Sequence, residues 1–315
     1  MRLATFTVET AVGPIDRVGV TYGDSLVDLT AGYAAILADE GRTRPVEAAR
    51  ALVPPDMLEL LRNGPEAIEA AREVRVAAAD GDLPAEGPRG GQVTYDEDAV
   101  SLRAPLPRPN TIRDFSVFEA HGTEKPEEWY DLPAYYKGNP DSTVPPNTEV
   151  EWPDYTDRLD FELELGVVIG RECRDIDPSE AEEYIAGYTV FNDFSARDIQ
   201  GEEMTMGLGP GKGKDFANGF GPYLVTADAF DPGDARMTAR VNGEVWSEGN
   251  SGEAHHSVGD MLEHAAMGET VHPGDVLGTG TVGGGCGYDL DRWVDHGDTI
   301  ELEIEGIGTL RHTVS

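Results

Sequence analysis

In LDFELELGVVIG, residues 159–170, acidic and apolar side chains alternate. Read as a strand, the run puts Asp160, Glu162 and Glu164 on one face and Phe161, Leu163 and Leu165 on the other. Carboxylates stacked on one face repel each other unless that face meets water or holds a cation. The stretch then passes into Val167, Val168 and Ile169, an apolar run typical of a strand buried on both sides. The chain supplies its own comparison in IELEIEGIG (300–308). There Glu301, Glu303 and Glu305 alternate in the same way but lead only to Gly306 and the chain end, and a solvated face accounts for them. What distinguishes the first run is its company.

That company begins with FNDFSARDIQ (191–200). Asp193 precedes a helical turn expected to start at Ser195, and Arg197 and Gln200, three apart, share a helix face. An acid, a fixed cation and an amide leaving one strand end suit an oxygen-rich ligand; a cap with a local ion pair is the plainer alternative. GLGPGKGKDF (207–216) holds two of the chain's four lysines, Lys212 and Lys214. It is not a phosphate-binding G-x-x-x-x-G-K-[ST] loop, because Asp215 follows Lys214. A lysine beside a metal and a substrate oxygen can hold developing negative charge. RDFSVFEAH (113–121) sets Asp114 seven residues before His121. GTGTVG (278–283) matches G-x-G-x-x-G, but glycines continue through Gly287 and no helix is expected after it, so a tight turn is read there rather than a dinucleotide site. His255, His256 and His264 lack a second pair at metal-binding spacing and are read as structural.

The elements that must position these groups divide near residue 103. Before it, residues 2–8 and 17–29 read as strands with a turn at Gly23-Asp24. Residues 31–40 and 45–79 read as helices, broken at Pro54-Pro55 and Gly64-Pro65. A Gly/Pro loop (80–91) and a Pro-rich passage (102–110) follow. Residues 1–103 are thus expected to form a small N-terminal α+β domain and 104–315 a large, mostly-β domain. Strands are expected at 163–169, 187–192, 222–226, 236–241 and 299–305. Helices are expected at 177–187, with Asp177 as cap and Gly187 as stop, and at 257–268, with Ser257 as cap. The lack of β-α-β alternation argues against a doubly wound sheet.

Charge sets the surroundings. Sixty Asp+Glu against 24 Lys+Arg give a formal net charge of −36. Only Lys125, Lys137, Lys212 and Lys214 are lysines. So acidic a surface suits a salt-rich cytoplasm, where screening removes self-repulsion, and a halophilic source is expected. Nucleic acid is a poor partner for it. Cys173 and Cys286 offer neither a disulfide framework nor a zinc spacing. MRLATFTVET lacks a signal-peptide apolar core, and no window approaches a membrane span. These readings point to a soluble cytoplasmic protein.

Taken together, the ordered motifs resemble the fumarylacetoacetate hydrolase family over roughly residues 105–310. They are D-x(6)-H at Asp114 and His121, E-x-E at Glu162 and Glu164, N-D-x-S-A-R-D-x-Q at 192–200, G-K-x-F at 213–216 and G-T near 280. The resemblance implies a mixed β-sandwich roll for the catalytic domain and a homodimer. It implies metal ligands Asp114, Glu162, Glu164 and Asp193, all oxygen donors suited to Mg²⁺, with Mn²⁺ or Ca²⁺ as alternatives, rather than Zn²⁺. Asp160 has no counterpart as a ligand. His121 would be the general base, oriented by a carboxylate. Family members use a Glu there; this chain offers Asp289, with Asp291 as a second candidate. Arg197, Gln200 and Lys214 would stabilise charge on reacting oxygens, and Tyr136 and Thr281 would contact substrate. Ser116 stands where the hydrolases proper have a substrate-binding Tyr. The activity implied is hydrolysis of a C–C bond in a small keto acid, a 1,3-diketo acid or acylpyruvate. Dehydration of 2-keto-3-deoxy sugar acids, or decarboxylation of an oxaloacetate-type acid, on the same metal is the alternative. A cation-binding module without catalysis is a third reading, disfavoured by the basic groups.

Overall fold

A computed structural model describes residues 1–122 and 124–315. Its N-terminal strands, β1 (Arg2–Thr10), β2 (Gly13–Tyr22) and β3 (Ser25–Asp28), form an antiparallel meander. The segment 17–29 is two strands, because Gly23 at φ +57° takes a left-handed turn conformation that glycine adopts without steric cost. Four helices follow: α1 (Leu29–Asp39), α2 (Pro45–Leu52), α3 (Met57–Arg62) and α4 (Pro65–Asp80). Their breaks fall at the expected prolines and glycines. Pro45 and Pro65 open helices at the position where a missing N–H is harmless.

The chain continues through β4 (Thr94–Asp96), β5 (Ser101–Leu102), β6 (Ile112–Phe115), β7 (Tyr135–Gly138), β8 (Thr143–Val144) and β9 (Thr148–Val150). Next come β10 (Leu159–Asp160), β11 (Leu163–Ile169), β12 (Ile185–Asp193), β13 (Ser195–Ala196) and α5 (Arg197–Thr205). Then follow β14 (Asn218–Thr226), β15 (Arg236–Val241), β16 (Glu244–Asn250), α6 (Val258–Ala266), β17 (Val276–Gly278), α7 (Gly287–Leu290), β18 (Thr299–Ile304) and β19 (Gly308–Val314).

A twelve-stranded sheet in the order β4-β3-β2-β1-β14-β12-β11-β17-β6-β7 dominates, with β5 on β1 and β8 on β14. The N-terminal strands extend this sheet through β1 and β14, where Arg2 pairs with Val225 and Leu3 with Leu224. A second sheet, β16-β15-β18-β19-β9, lies across one face. Leu165, Val167 and Val190 pack there in one core with Met237, Leu302 and Leu310. The other face is covered by α1–α4, where Val168, Phe191, Phe220, Leu224 and Val276 pack with Leu60 and Val74. Every residue of β11 is therefore buried, which is why its sequence after Glu164 is apolar on both faces. The fold is mixed α/β with one large, mostly-β sheet.

Several local expectations change. The helix read at 177–187 is a 3₁₀ turn, Pro178–Glu183, opened by an Asp177–Glu180 capping box. Gly187 does not end it but lies within β12, where a Cβ would sit 2.0 Å from the Val225 carbonyl oxygen. Close strand pairing, rather than helix termination, demands the glycine. Ser195 belongs to β13, and the helix begins at Arg197. The strand read through 159–170 breaks after Asp160, which pairs with Ser195 of β13. A helix does follow GTGTVG, the single turn α7. Helix α6 starts as expected, with Ser257 and Asp260 in a capping box. In β18, Glu301 and Glu303 are partly exposed and Glu305, just beyond it, is exposed, in keeping with a solvated face. No helix among the described residues is long and apolar enough to cross a membrane.

Candidate active site

At one end of the strands β12, β11, β17 and β6, four buried carboxylates converge: Asp193, Glu162 with Glu164, and Asp114. Each offers an oxygen within 4.8 Å of the others. Glu164 lies on β11 and Asp114 on β6, and β17 runs between them. Two strand spacings are ~9.6 Å, too far for direct convergence across an ordinary residue. The residue of β17 beside Asp114 is Gly278. A Cβ there would stand 2.5 Å from Asp114 Oδ1 and 2.9 Å from Glu164 Oε2. The two acids meet in the space a side chain would fill.

Backbone groups fix the cage. Gly280 N–H donates to Glu164 Oε2 at 3.0 Å. Tyr136, opposite Asp114 on β7, donates its hydroxyl to Asp193 Oδ2 at 2.6 Å. Burial, with Asp193 beside it, pushes the Tyr136 hydroxyl well above its ordinary value. Lys214 is buried, and its ammonium lies 2.8 Å from Glu162 Oε2 and also contacts Asp193. Burial alone would depress the lysine, but these two acids outweigh it and keep it charged. Its neighbour Lys212 is exposed.

Arg197 closes one side. Its Nε is 2.8 Å from Asp160 Oδ2, and its NH1 reaches Glu162 Oε1 at 2.7 Å and Gln200 Oε1 at 3.0 Å. Asp160 accepts from Arg197 and from the Gly287 and Tyr288 N–H groups that open α7, at 2.8 and 3.0 Å. It stands off the cage and holds a cage-facing cation in place. Sequence reasoning left Asp160 without a role; its signal was the alternation itself, and the break after β10 sent it to Arg197.

Near the same Glu162 oxygen that Arg197 reaches, His121 Nδ1 lies 3.0 Å from Asp289 Oδ2, and its Nε2 lies 3.9 Å from Glu162 Oε1. Asp289 also accepts from Gly122 and Gly284 N–H at 2.9 and 3.2 Å. Burial raises this carboxyl, but the His121 and backbone hydrogen bonds outweigh it and hold it below the usual range. Asp291, the other candidate partner, ends α7 in a left-handed conformation, and Asp289 is the residue bonded to His121. Thr281 Oγ1 is buried without a hydrogen-bond partner among the described residues. Of the histidines read as structural, His255 and His256 meet the Tyr130 and Trp129 carbonyls, and His264 rests edge-on against Tyr135.

Electrostatics shows what the cage is fit for. Five buried carboxylates, counting Asp160, face two buried cations, Arg197 and Lys214. Fully ionised, they would leave three uncompensated negative charges in a low-dielectric site. Without a further cation, burial and mutual repulsion raise Glu164 well above the usual carboxylate range. Asp114 and Asp193 also rise, chiefly through burial. Glu162 goes the other way, since Lys214 and Arg197 outweigh its burial. Asp114 Oδ1, Glu164 Oε1 and Asp193 Oδ1 are buried with no hydrogen-bond partner among the described residues. Orphaned oxygens, excess negative charge and an all-oxygen donor set fit a hard divalent cation.

Comparison with known proteins agrees with this geometry. The family model for the fumarylacetoacetate (FAA) hydrolase C-terminal region matches residues 112–315. An uncharacterized protein of Pyrococcus abyssi is 34% identical over 195 residues, 61% of this chain and 82% of that one. One from Staphylococcus haemolyticus is 32% identical over 216 residues, 67% and 70% of the two chains. Among solved structures, a fumarylacetoacetate hydrolase from the psychrophile Exiguobacterium antarcticum superposes with TM-score 0.74 at 28% identity, covering 99% of both chains. A maleylpyruvate hydrolase from a Sphingobium species, in complex with manganese(II) ion and pyruvate, gives TM-score 0.70 at 25% identity, covering 100% of this chain and 98% of that one. The chain belongs to the fumarylacetoacetate hydrolase C-terminal family.

Proposed function

We propose that the protein is a metal-dependent hydrolase that cleaves a C–C bond in a 1,3-diketo acid or acylpyruvate. The observation that carries this reading is the His121–Asp289 pair beside a carboxylate cage that Arg197 and Lys214 also contact, with Gln200 bonded to Arg197. Asp114, Glu162, Glu164 and Asp193 would hold the ion, Mg²⁺ by donor chemistry with Mn²⁺ or Ca²⁺ as substitutes. When bound, the cation supplies Lewis acidity toward the oxygens of a dicarbonyl.

The chain's own groups then do the proton work. Asp289 accepts from Nδ1–H, which fixes the tautomer and leaves Nε2 free on the side facing Glu162. Nε2 takes a proton from water, and the hydroxide oxygen bonds to the substrate carbonyl carbon. Arg197, Lys214 and the Gln200 amide donate to the oxygens that gain charge. The C–C bond breaks, its electron pair leaves with the enolate fragment, and the His121 proton goes to the departing carbon. An acid and a methyl ketone, or two acids, result. Tyr136 and the unpartnered Thr281 hydroxyl serve as substrate contacts, and Ser116 leaves room for a different substrate tail. A cytoplasmic homodimer from a salt-rich source, with residues 1–103 as a unit added to a catalytic domain of 104–315, completes the proposal.

The test is incubation with Mg²⁺ or Mn²⁺ and either an acylpyruvate or, separately, oxaloacetate and a 2-keto-3-deoxy pentonate. Release of pyruvate and an acid from the first is expected, with His121→Ala at least ~100-fold slower. Turnover of only the other two would overturn the hydrolase reading in favour of decarboxylation or dehydration.

A further inference from the structure

Behind the His121–Asp289 pair lies a buried thiol with no part in this mechanism. Cys286 Sγ is 3.8 Å from His121 Nδ1, which is itself 3.0 Å from Asp289 Oδ2. One donor atom from each of the three residues falls within 4.8 Å of the others. In a tetrahedral zinc site with Zn–S near 2.3 Å and Zn–N and Zn–O near 2.0 Å, sulfur and nitrogen lie ~3.5 Å apart and nitrogen and oxygen ~3.3 Å. Both observed separations are within ~0.4 Å of those values. The backbone already holds the donors: Gly122 and Gly284 N–H fix Asp289, and Cys286 is bridged to Glu162. The His121 side chain remains about one-fifth exposed, which gives an ion a way in.

We propose that His121, Cys286 and Asp289 form a second metal site, selective for Zn²⁺-class ions, adjacent to the all-oxygen cage. The two sites differ in chemistry. Four carboxylates suit hard cations, whereas thiolate, imidazole and carboxylate together suit a borderline-soft one. Binding replaces the Cys286 S–H bond with an S–Zn bond and releases that proton to solvent. The His121 ring proton moves from Nδ1 to Nε2 as Nδ1 becomes a ligand. Glu162 and Asp160 nearby favour an added cation and Arg197 opposes it. One consequence rests on the proposed catalytic role of His121: with Nε2 protonated, the base is gone and Zn²⁺ inhibits. The site itself does not rest on that role.

Cobalt(II) titration of the metal-free full-length protein tests it. Cobalt at the proposed site gives a strong near-ultraviolet thiolate charge-transfer band, whereas cobalt in the carboxylate cage gives only weak absorption. The band is expected in wild type, in Cys173→Ser and in Glu164→Gln, and lost in Cys286→Ser. Competition with a zinc chelator should show Zn²⁺ held at least ~100-fold less tightly by Cys286→Ser, since loss of an outer partner alone can cost that much. A missing band in wild type, or one that survives Cys286→Ser, overturns the site. A Cys286-dependent band with turnover unaffected by Zn²⁺ upholds the site and instead overturns the catalytic role of His121.

Discussion

One methyl group placed at Gly278 should weaken the proposed metal site while leaving all four of its carboxylates in the sequence. A Cβ built there lies 2.5 Å from Asp114 Oδ1, 2.9 Å from Glu164 Oε2 and 2.8 Å from a Phe191 ring carbon. Ordinary carbon–oxygen contact begins near ~3.4 Å, so Asp114 must retreat by about 0.9 Å and Glu164 by about 0.5 Å. Neither has free space, since both are at most 4% exposed and Phe191 is stacked on Phe220. Displacing a fixed group by about 1 Å costs on the order of 100-fold in a preorganised site. We therefore expect Gly278→Ala to bind Mn²⁺ about 10- to 100-fold more weakly, or about 1.4–2.8 kcal/mol. Overpacking should also cost about 1–3 kcal/mol of stability. Calorimetric Mn²⁺ titration alongside urea unfolding separates the two effects. Gly201→Ala, where nothing lies within 4 Å of the added carbon, serves as control. Wild-type Mn²⁺ affinity in Gly278→Ala would show that the cage does not depend on this gap.

Other parts of the molecule give further expectations. Asp160→Asn keeps the shape but takes a charge from buried Arg197; because Glu162 still pairs with that guanidinium, the loss should be near the low end for a broken buried pair, about 3 kcal/mol by urea unfolding. The same variant should lower kcat more than it raises KM, and unchanged kcat would remove Asp160 as the residue that positions Arg197. Burial pushes His312 down from 6.5 to about 4. Its neutral form therefore contributes stability above pH 6.5 that is lost as the pH falls toward 4, about 3 kcal/mol in all. His312→Gln should lack this component, so the difference between wild-type and variant unfolding curves should change by that amount across the window; a constant difference refutes it. Residues 104–315 made alone should aggregate, because Val168, Phe191, Phe220, Leu224 and Val276 lose their helical cover; a monodisperse product that binds Mn²⁺ would show the N-terminal unit to be dispensable.

What could be read from the sequence depended on how local each feature is. Glu162 and Glu164 sit two apart flanking the start of one strand; that spacing suited a shared ion and a solvated face alike, and the other motifs in order separated the two readings. Arg197 and Gln200 follow one helix turn and do share a hydrogen bond. Gly278 carries no chemistry of its own, and its importance comes from lying between two strands far apart in sequence. Alternation grouped Asp160 with the two glutamates, and only the pairing of β10 with β13 shows that it belongs to Arg197. Gly187 after an Ala/Glu-rich turn looked like a helix stop, yet the constraint on it comes from the Val225 carbonyl of a neighbouring strand. Pairing between distant strands has no signature within a short window, and the misread positions were those it governs.

The Lys214 ammonium among the acids has a consequence for the order of events in assembly. Where a metal is the only counter-charge a site possesses, the polypeptide cannot close until the ion arrives, and chelators denature it. Here the chain brings a tethered cation of its own to Glu162 and Asp193, and the remaining acids can keep their protons. Closing the fold and acquiring the ion are thereby separable. Chelation should abolish turnover yet lower the melting temperature by only a few degrees, and readdition of Mg²⁺ or Mn²⁺ should restore activity without a refolding phase. The lysine thus serves the newly made chain before any ion is bound.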